Sequence, residues 1–442
     1  MSEHLLVGVA RADITPAPGI HMGGYWGRKS GATDVHDPLM AKMLTFELGT
    51  TRAALVALDL VGLDAATVAS VRRRIEKGVG IPGEGIMICC SHTHAGPLTA
   101  PFRGMGEIDE TYLAEVEETV VRLAEEGMAA PQPARVAHAR VEARLGINRR
   151  EARQTGVEIG HNPDGPVVSY AHLVRFEGEE GLLATLFSHA CHGVVLSGAN
   201  HSISADFPGA AARFVERETG APALFVNGAC GDINPRKTGG SFEDVEELGR
   251  ELGQAIVDGL DGVSAVKITS LRHALEEVQL PLCEPPSRLQ AEVEKLALQL
   301  KAELKKIASD GGDIWAQRVP QAHLEWAQAT LDWVKKGEDR ERSQRFEIQV
   351  LALGGLALLG MEGEIFSRYQ LELEEESPLP ATLLCGYANG CVGYVPTADE
   401  YARGGYEVDS AYKVYPSVQM IAPESEELIR RAARSLLGSV AA

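Results

Sequence analysis

No Cys-x-x-Cys pair occurs in this chain, and its seven cysteines, at 89, 90, 191, 230, 283, 385 and 391, are odd in number. A disulfide framework is therefore not expected, and most of these thiols should be buried as small hydrophobes. Aromatic residues make up only 5% while glycine numbers 47, which suggests a surface rich in turns and short of flat stacking platforms. Basic residues are also scarce: 42 Lys and Arg face 62 Asp and Glu, a formal charge of -20. Such a balance argues against a nucleic-acid partner, whose phosphates need Lys and Arg to displace counterions, and an anionic membrane surface would repel it. No run of about 18 uninterrupted apolar residues is present, so no transmembrane segment is expected. The opening stretch MSEHLLVGVARADITP lacks a basic segment followed by an apolar one, so no secretory signal is read there. The expected location is cytoplasmic.

The chain does hold enough apolar side chain for a large core: 45% of its 442 residues. By length alone two or three units would be allowed, at about 150 residues each. From residue 5 to about 280 short β-branched or aliphatic runs alternate with longer amphipathic segments, the rhythm of an α/β or α+β protein with layered sheets and flanking helices. The clearest strands are 54–61, 86–90, 167–176, 182–188 and 223–226. Segments 64–77, 109–126, 206–218 and 242–260 read as helices, several opening on Asp as an N-cap. Between 287 and 337 Leu289, Val293, Leu296, Leu300, Leu304 and Ile307 recur at steps of three and four, Gly311-Gly312 interrupts, and Leu324, Leu331 and Val334 follow. A helical hairpin is expected there, packed on the body or on a second copy in a homodimer, or else lying as a lid. Strands 345–353 and 356–361, a helix from Glu364 to Glu376, a strand near 383–387 and a final helix 425–437 complete the reading.

Chemistry-bearing residues gather at strand ends. Ser91–Pro97, S-H-T-H-A-G-P, follows the apolar strand IMICC, and the rim of an open α/β sheet is where ligands usually bind. His92 and His94 are either a metal-binding pair or hydrogen-bonded scaffold. A second cluster, F-S-H-A-C-H-G, brings His189 and His192, and Asp206 beyond it opens a helix. Two such clusters in one chain favour a metal, since neutral imidazole is its commonest ligand. Three protein ligands with an open position would make a catalytic zinc site. The stretch Phe225–Arg236 could present Asn227, Cys230 or Asp232 to a substrate, or be a tight turn with Asx caps. Glu364, where a buried strand gives way to a helix, is either a helix-start anion or a metal ligand. Gly-rich loops carry Tyr394 and Tyr406.

Taken together, A-D-I-T-P (12–16), M-G-G-Y (22–25), H-D-P-L-M-A-K (36–42), S-H-T-H-A-G-P, I-N-R (147–149), the His192 cluster, G-D-I-N-P, G-E-I-F, G-Y-V-P-T and G-G-Y-E resemble the neutral/alkaline ceramidase family. The resemblance covers almost the whole chain apart from the hairpin. It implies a single catalytic domain over 1–442, interrupted by the hairpin at 287–337, and a zinc-dependent hydrolase in which a metal-activated water attacks an amide, ester or lactone carbonyl of a small-molecule substrate. One Zn2+ is implied, held by His92, His192, Glu364 and Tyr406, with His94 and Arg149 flanking the reacting carbonyl. Cys230 stands where the family carries the serine of its N-S-G motif, so it is either a thiolate nucleophile or a small pocket-lining residue. Asp59, with His94 and Asp206, would either build a second divalent-metal position or orient a ligating histidine. Because the chain ends soon after Y-E, the family's C-terminal immunoglobulin-like domain is not expected, and an intracellular amide, ester or lactone hydrolase is favoured over an extracellular sphingolipid hydrolase. The reading from another class is a non-catalytic, zinc-stabilised binding or scaffolding protein. The survival of His94 and Arg149 speaks for catalysis, because a purely structural metal needs neither.

Overall fold

The computed structural model describes residues 4–441. Three mixed sheets organise them. The first runs in the order Ile86–Cys90, Thr51–Leu58, Met40–Leu48, Leu6–Asp13, with Gln132–Pro133 at its far edge. The second runs Ala223–Asn227, Leu182–His189, Tyr170–Glu177, Arg135–Glu142, Ser264–Val266, and the third Leu271–Pro281, Ser343–Leu353, Leu356–Met361, Ala381–Cys385. Each sheet is otherwise antiparallel but ends in one short strand laid parallel to its neighbour: IMICC, ALFVN and ATLLC. All three of these strands are buried throughout, which is why they read as continuous apolar runs rather than alternating ones.

The three sheets share one apolar interior, where Cys89 and Met87, Leu224 and Val226, and Leu383 and Cys385 join Phe46 and Phe176. The rings of Phe46 and Phe176 meet at 5.8 Å and tie the first sheet to the second. Helices cover the other faces. Ala65–Val79 and Glu110–Ala129 pack on the first sheet, Asp206–Thr219 and Phe242–Gly259 on the second, and Ser425–Ala441 on the third. Asp64 and Asp109 cap their helices as expected, each accepting from a backbone N–H of the first turn. Asp206 is not a cap: it is the first helical residue, at φ 53°, and Ala205 precedes it without a side-chain bond. No described helix is long and apolar enough to cross a membrane. All seven thiols are free.

The helical hairpin is present as Leu289–Ser309 and Ile314–Lys335. Val293, Ala297 and Leu300 meet Leu324, Trp326 and Ala327 inside it. It leans on the body, where the Trp326 indole donates to the Val418 carbonyl. One expected boundary is corrected. Glu364 does not open a helix but sits in a two-residue strand, Glu364–Ile365, paired with Tyr394–Val395, and the helix begins at Ser367. The anion at that helix start is Asp232, which accepts from the Ser367 backbone N–H at 2.7 Å and from its hydroxyl at 2.9 Å. Glu364 is thereby free to point elsewhere.

Candidate active site

The parallel edge strands and their neighbours deliver the site. IMICC ends at Cys90, and the chain turns sharply through His92, whose φ of 61° is unusual for a side-chain-bearing residue. The His94 N–H donates to the Gly193 carbonyl at 3.0 Å, and Thr93 bridges to Gly193, so this loop lies directly on the loop that follows strand Leu182–His189. A Cβ at Gly193 would stand 2.9 Å from the His92 carbonyl oxygen, which is why only glycine allows the approach. The G-D-I-N-P turn joins from behind: the Gly231 N–H donates to the Ile365 carbonyl, seating the Glu364 strand against it.

Three imidazoles converge as a result. One nitrogen each of His92, His94 and His192 lie within 4.8 Å of one another. Backbone carbonyls hydrogen-bonded to the rings decide which atoms face inward. His92 Nδ1 lies 2.6 Å from the Val61 carbonyl, and His192 Nδ1 lies 2.7 Å from that of Cys230. Carbonyls only accept, so both Nδ1 atoms carry the proton and both Nε2 atoms present a lone pair. Into that space Glu364 places Oε2, at 3.0 Å from His192 Nε2 and 3.5 Å from His92 Nε2. His192 stays neutral, lowered to about 4 by burial first and by the charge of Arg149 next. A carboxylate set against two imidazole lone pairs is repulsive unless a cation lies between them. That donor set of nitrogen and oxygen suits zinc. His94 is the one imidazole of the three that is not fully buried, and its Nδ1 has no partner.

Arg149 borders the cluster. Its guanidinium donates to Glu407 at 2.8 Å, Tyr394 at 2.9 Å and Asn234 at 3.1 Å, and Nη1 lies 3.4 Å from His192 Nε2. The neighbouring Arg150 also grips Glu407, and Glu400 with it. Between them they pin the segment that carries Tyr406. Tyr406 itself is not bonded to Glu364: it is 38% exposed, with its ring 5.8 Å from that of Tyr394. Two phenols absent from the sequence reading hold the carboxylate instead. Tyr415 donates to Glu364 Oε1 and Tyr387 to Oε2, and the Tyr387 ring stacks on His92 at 4.0 Å. Tyr387 had a signal, since Y-A-N-G follows a buried strand as the other clusters do; Tyr415 had none.

The other candidates are placed as follows. The Cys230 thiol is fully buried, meets the Tyr387 hydroxyl at 3.2 Å, and is pushed well above its usual range by burial. That is the environment of a neutral thiol, while the Cys230 carbonyl sets the His192 tautomer. Asn227 ties Ser91 to Cys191 through their carbonyls. Asp59 accepts from the Met40 N–H, and Asp206 from those of Leu196 and Phe207. Neither joins the histidines in the one group of three His, Cys, Asp or Glu side chains close enough to share an ion among the described residues. His189 Nε2 is buried and unpartnered, away from the cluster.

No family model matches the chain. Neutral ceramidase from Pseudomonas aeruginosa is 28% identical to it over 272 residues, 56% of this chain and 40% of that protein. A crystal structure of neutral ceramidase from the same organism superposes with a TM-score of 0.73 at 19% identity, covering 100% of this chain and 75% of that one. The chain has the neutral ceramidase fold. A structure described as ceramidase complexed with C2 gives 0.75 at 18% identity, over 99% of this chain and 75% of the other. The sequence match thus spans less than half the length of the neutral ceramidase it pairs with, while the fold spans essentially the whole chain. With the ceramidase fold in hand, the order of the strand-end clusters along the sequence has its explanation: each is the loop that leaves one of three sheets at a common rim.

Proposed function

We propose that this chain is a zinc-dependent hydrolase of the neutral ceramidase type, acting on an amide, ester or lactone carbonyl. The observation that carries the reading is the Glu364 carboxylate facing the bare Nε2 atoms of His92 and His192. These three side chains would hold the metal, and Tyr406 would complete the set as the family resemblance implies. When bound there, zinc supplies a Lewis acid that polarises the substrate carbonyl and makes water nucleophilic near neutral pH. The rest belongs to the protein. His94, held neutral chiefly by burial and with Nε2 3.0 Å from His92 Nε2, is placed to take a proton at the cluster and return it to the leaving group. Arg149 stays charged, because Tyr394 and Glu407 outweigh the burial that opposes its charge, and Nη1 points a donor toward the cluster where an oxyanion would grow. Tyr387 and Tyr415 fix the Glu364 rotamer. The named relatives act on ceramide by their titles, which makes a lipid amide one substrate class to test here.

A structural metal in a non-catalytic protein would need neither a third, partly buried histidine at the cluster nor a charged donor beside it. The test is hydrolysis of a p-nitrophenyl ester and of N-acyl amides before and after dialysis against a chelator. Turnover should vanish with the metal and return with zinc, and Arg149→Met should lower kcat on the order of 100-fold to 1,000-fold. Chelator-insensitive turnover, or none at all with zinc retained, contradicts the proposal.

A further inference from the structure

Between the second hairpin helix and the loop 98–110 lies an open groove of about 700 Å³. Its apolar floor includes Leu98, Phe102 and Ala322, and its rim is polar, with Gln317, Gln321 and Arg318. Two separate chains of contact join it to the candidate active site. In the first, Arg318 donates to the Met105 carbonyl at 3.3 Å, the Met105 sulfur lies 3.2 Å from the Gly24 N–H, and Gly24 lies against His94. A Cβ on Gly24 would come within 2.3 Å of the His94 ring, and at φ 88° the residue sits where glycine is favoured. Two residues on, the Trp26 ring meets hairpin His323 at 5.0 Å, so one short loop touches both the His94 imidazole and the hairpin. In the second, Phe102 packs edge-on to Tyr415 at 5.2 Å, and Tyr415 donates to Glu364. Arg103 secures this side by donating to the carbonyls of Lys413, Tyr415, Pro416 and Ser417.

We propose that this groove is a substrate-selecting subsite, and that the hairpin sets specificity for the reaction proposed above. Its volume matches a compact group, since ligand sites of about 300–1,000 Å³ hold drug-sized molecules. Its mixture of an apolar floor with amide, guanidinium and carboxylate groups at the rim, the last from Glu107, Glu110 and Glu325, suits a compact arm bearing several hydroxyl groups, a sugar-like unit. A long saturated chain would cover those polar groups without giving them partners, and such mismatches cost affinity. The preferred substrate class is therefore an amide or ester with a small hydrogen-bonding arm, and Gln321, exposed on the groove side, is a specificity-determining position.

The proposal rests on the hydrolase reading, and the experiment separates the two. Zinc-loaded protein is assayed with p-nitrophenyl acetate, which has no arm to place, and with matched amides whose arm is either a hexose or a dodecyl chain, attached in turn on the acyl and amine sides. The wild type should favour the hexose-armed amide at least about tenfold in kcat/KM on one of the two sides. Gln321→Trp, which fills the groove, should erase that preference through KM, and Gln321→Ala, which removes one rim amide, should weaken it, while p-nitrophenyl acetate turnover and metal content stay unchanged in both. Preference for the dodecyl arm, or a preference that Gln321→Trp leaves intact, overturns the proposal while acetate turnover upholds the hydrolase. If no ester or amide turns over, the hydrolase reading fails. Calorimetric binding of the hexose-armed amides then decides the groove alone: weakening by Gln321→Trp supports it, and equal or absent binding in both proteins overturns it.

Discussion

His189 and His192 leave the same strand three residues apart, and the fold gives them opposite surroundings. His192 turns Nε2 toward Glu364, whereas His189 donates from Nδ1 to the Tyr170 carbonyl and leaves Nε2 buried without a partner. His189→Leu should therefore keep the metal, and His192→Ala should lose it. The two also differ in what acid does. Burial lowers His189 to about 4, so the folded state binds its proton less readily than the unfolded chain, where the group titrates near 6.5. The sign follows from linkage: the unfolded state holds more protons between those values, and stability contributed by neutral His189 is lost as pH falls from about 6.5 to about 4. Melting temperatures of wild type and His189→Leu should accordingly shift in favour of the variant between pH 7 and pH 5; a gap independent of pH contradicts this. At this scale much of the site was legible. His92, His192 and Glu364 stand where strands end, and the sequence shows strand ends. The phenols were not, because Tyr387 and Tyr415 reach Glu364 from 23 and 51 residues away, a distance only the fold closes. Tyr406, inferred from resemblance, has its ring 5.8 Å from that of Tyr394, which in turn accepts from Arg149.

Among the elements, those carried by strong periodicity or by buried apolar runs were readable. Strands Ile86–Cys90 and Leu356–Met361 have the boundaries expected, and both hairpin helices appear where leucines recur at steps of three and four. The misread helix start at Glu364 has a specific cause. A carboxylate before a helical run reads as a first-turn anion, but the anion comes from Asp232, brought in by a remote turn. Remote ion pairs likewise fix the segment from Gly404 to Asp409, which carries only the one-turn helix Tyr406–Asp409. Glu407 is buried between Arg149 and Arg150, so Glu407→Ala leaves Arg149 with no carboxylate and Arg150 with Glu400 alone. Removing one member of a buried ion pair costs about 3–5 kcal/mol, and the urea midpoint should drop accordingly. Arg149, no longer aimed by Glu407, should also lose catalytic effect, seen as a fall in kcat at zinc saturation. An unchanged midpoint would show that the clamp holds nothing.

For the molecule as a whole, three sheets that end in buried parallel strands bring four distant stretches of one chain to a common rim. The neutral ceramidase fold persists here at 19% identity, so the arrangement depends on apolar pattern and a handful of strand-end residues more than on overall sequence. The alternation of apolar runs with amphipathic segments announced layered sheets, but which sheet each strand joins is set by pairings between remote segments, such as Leu271–Pro281 with Ser343–Leu353 across the whole hairpin. The central claim, that His92, His192 and Glu364 converge on one cation, is tested most directly by elemental analysis of protein purified without added metal. About one zinc per chain is predicted for the wild type, and almost none for His92→Ala and His192→Ala proteins that remain folded by circular dichroism. Full zinc content in both folded variants would contradict the account.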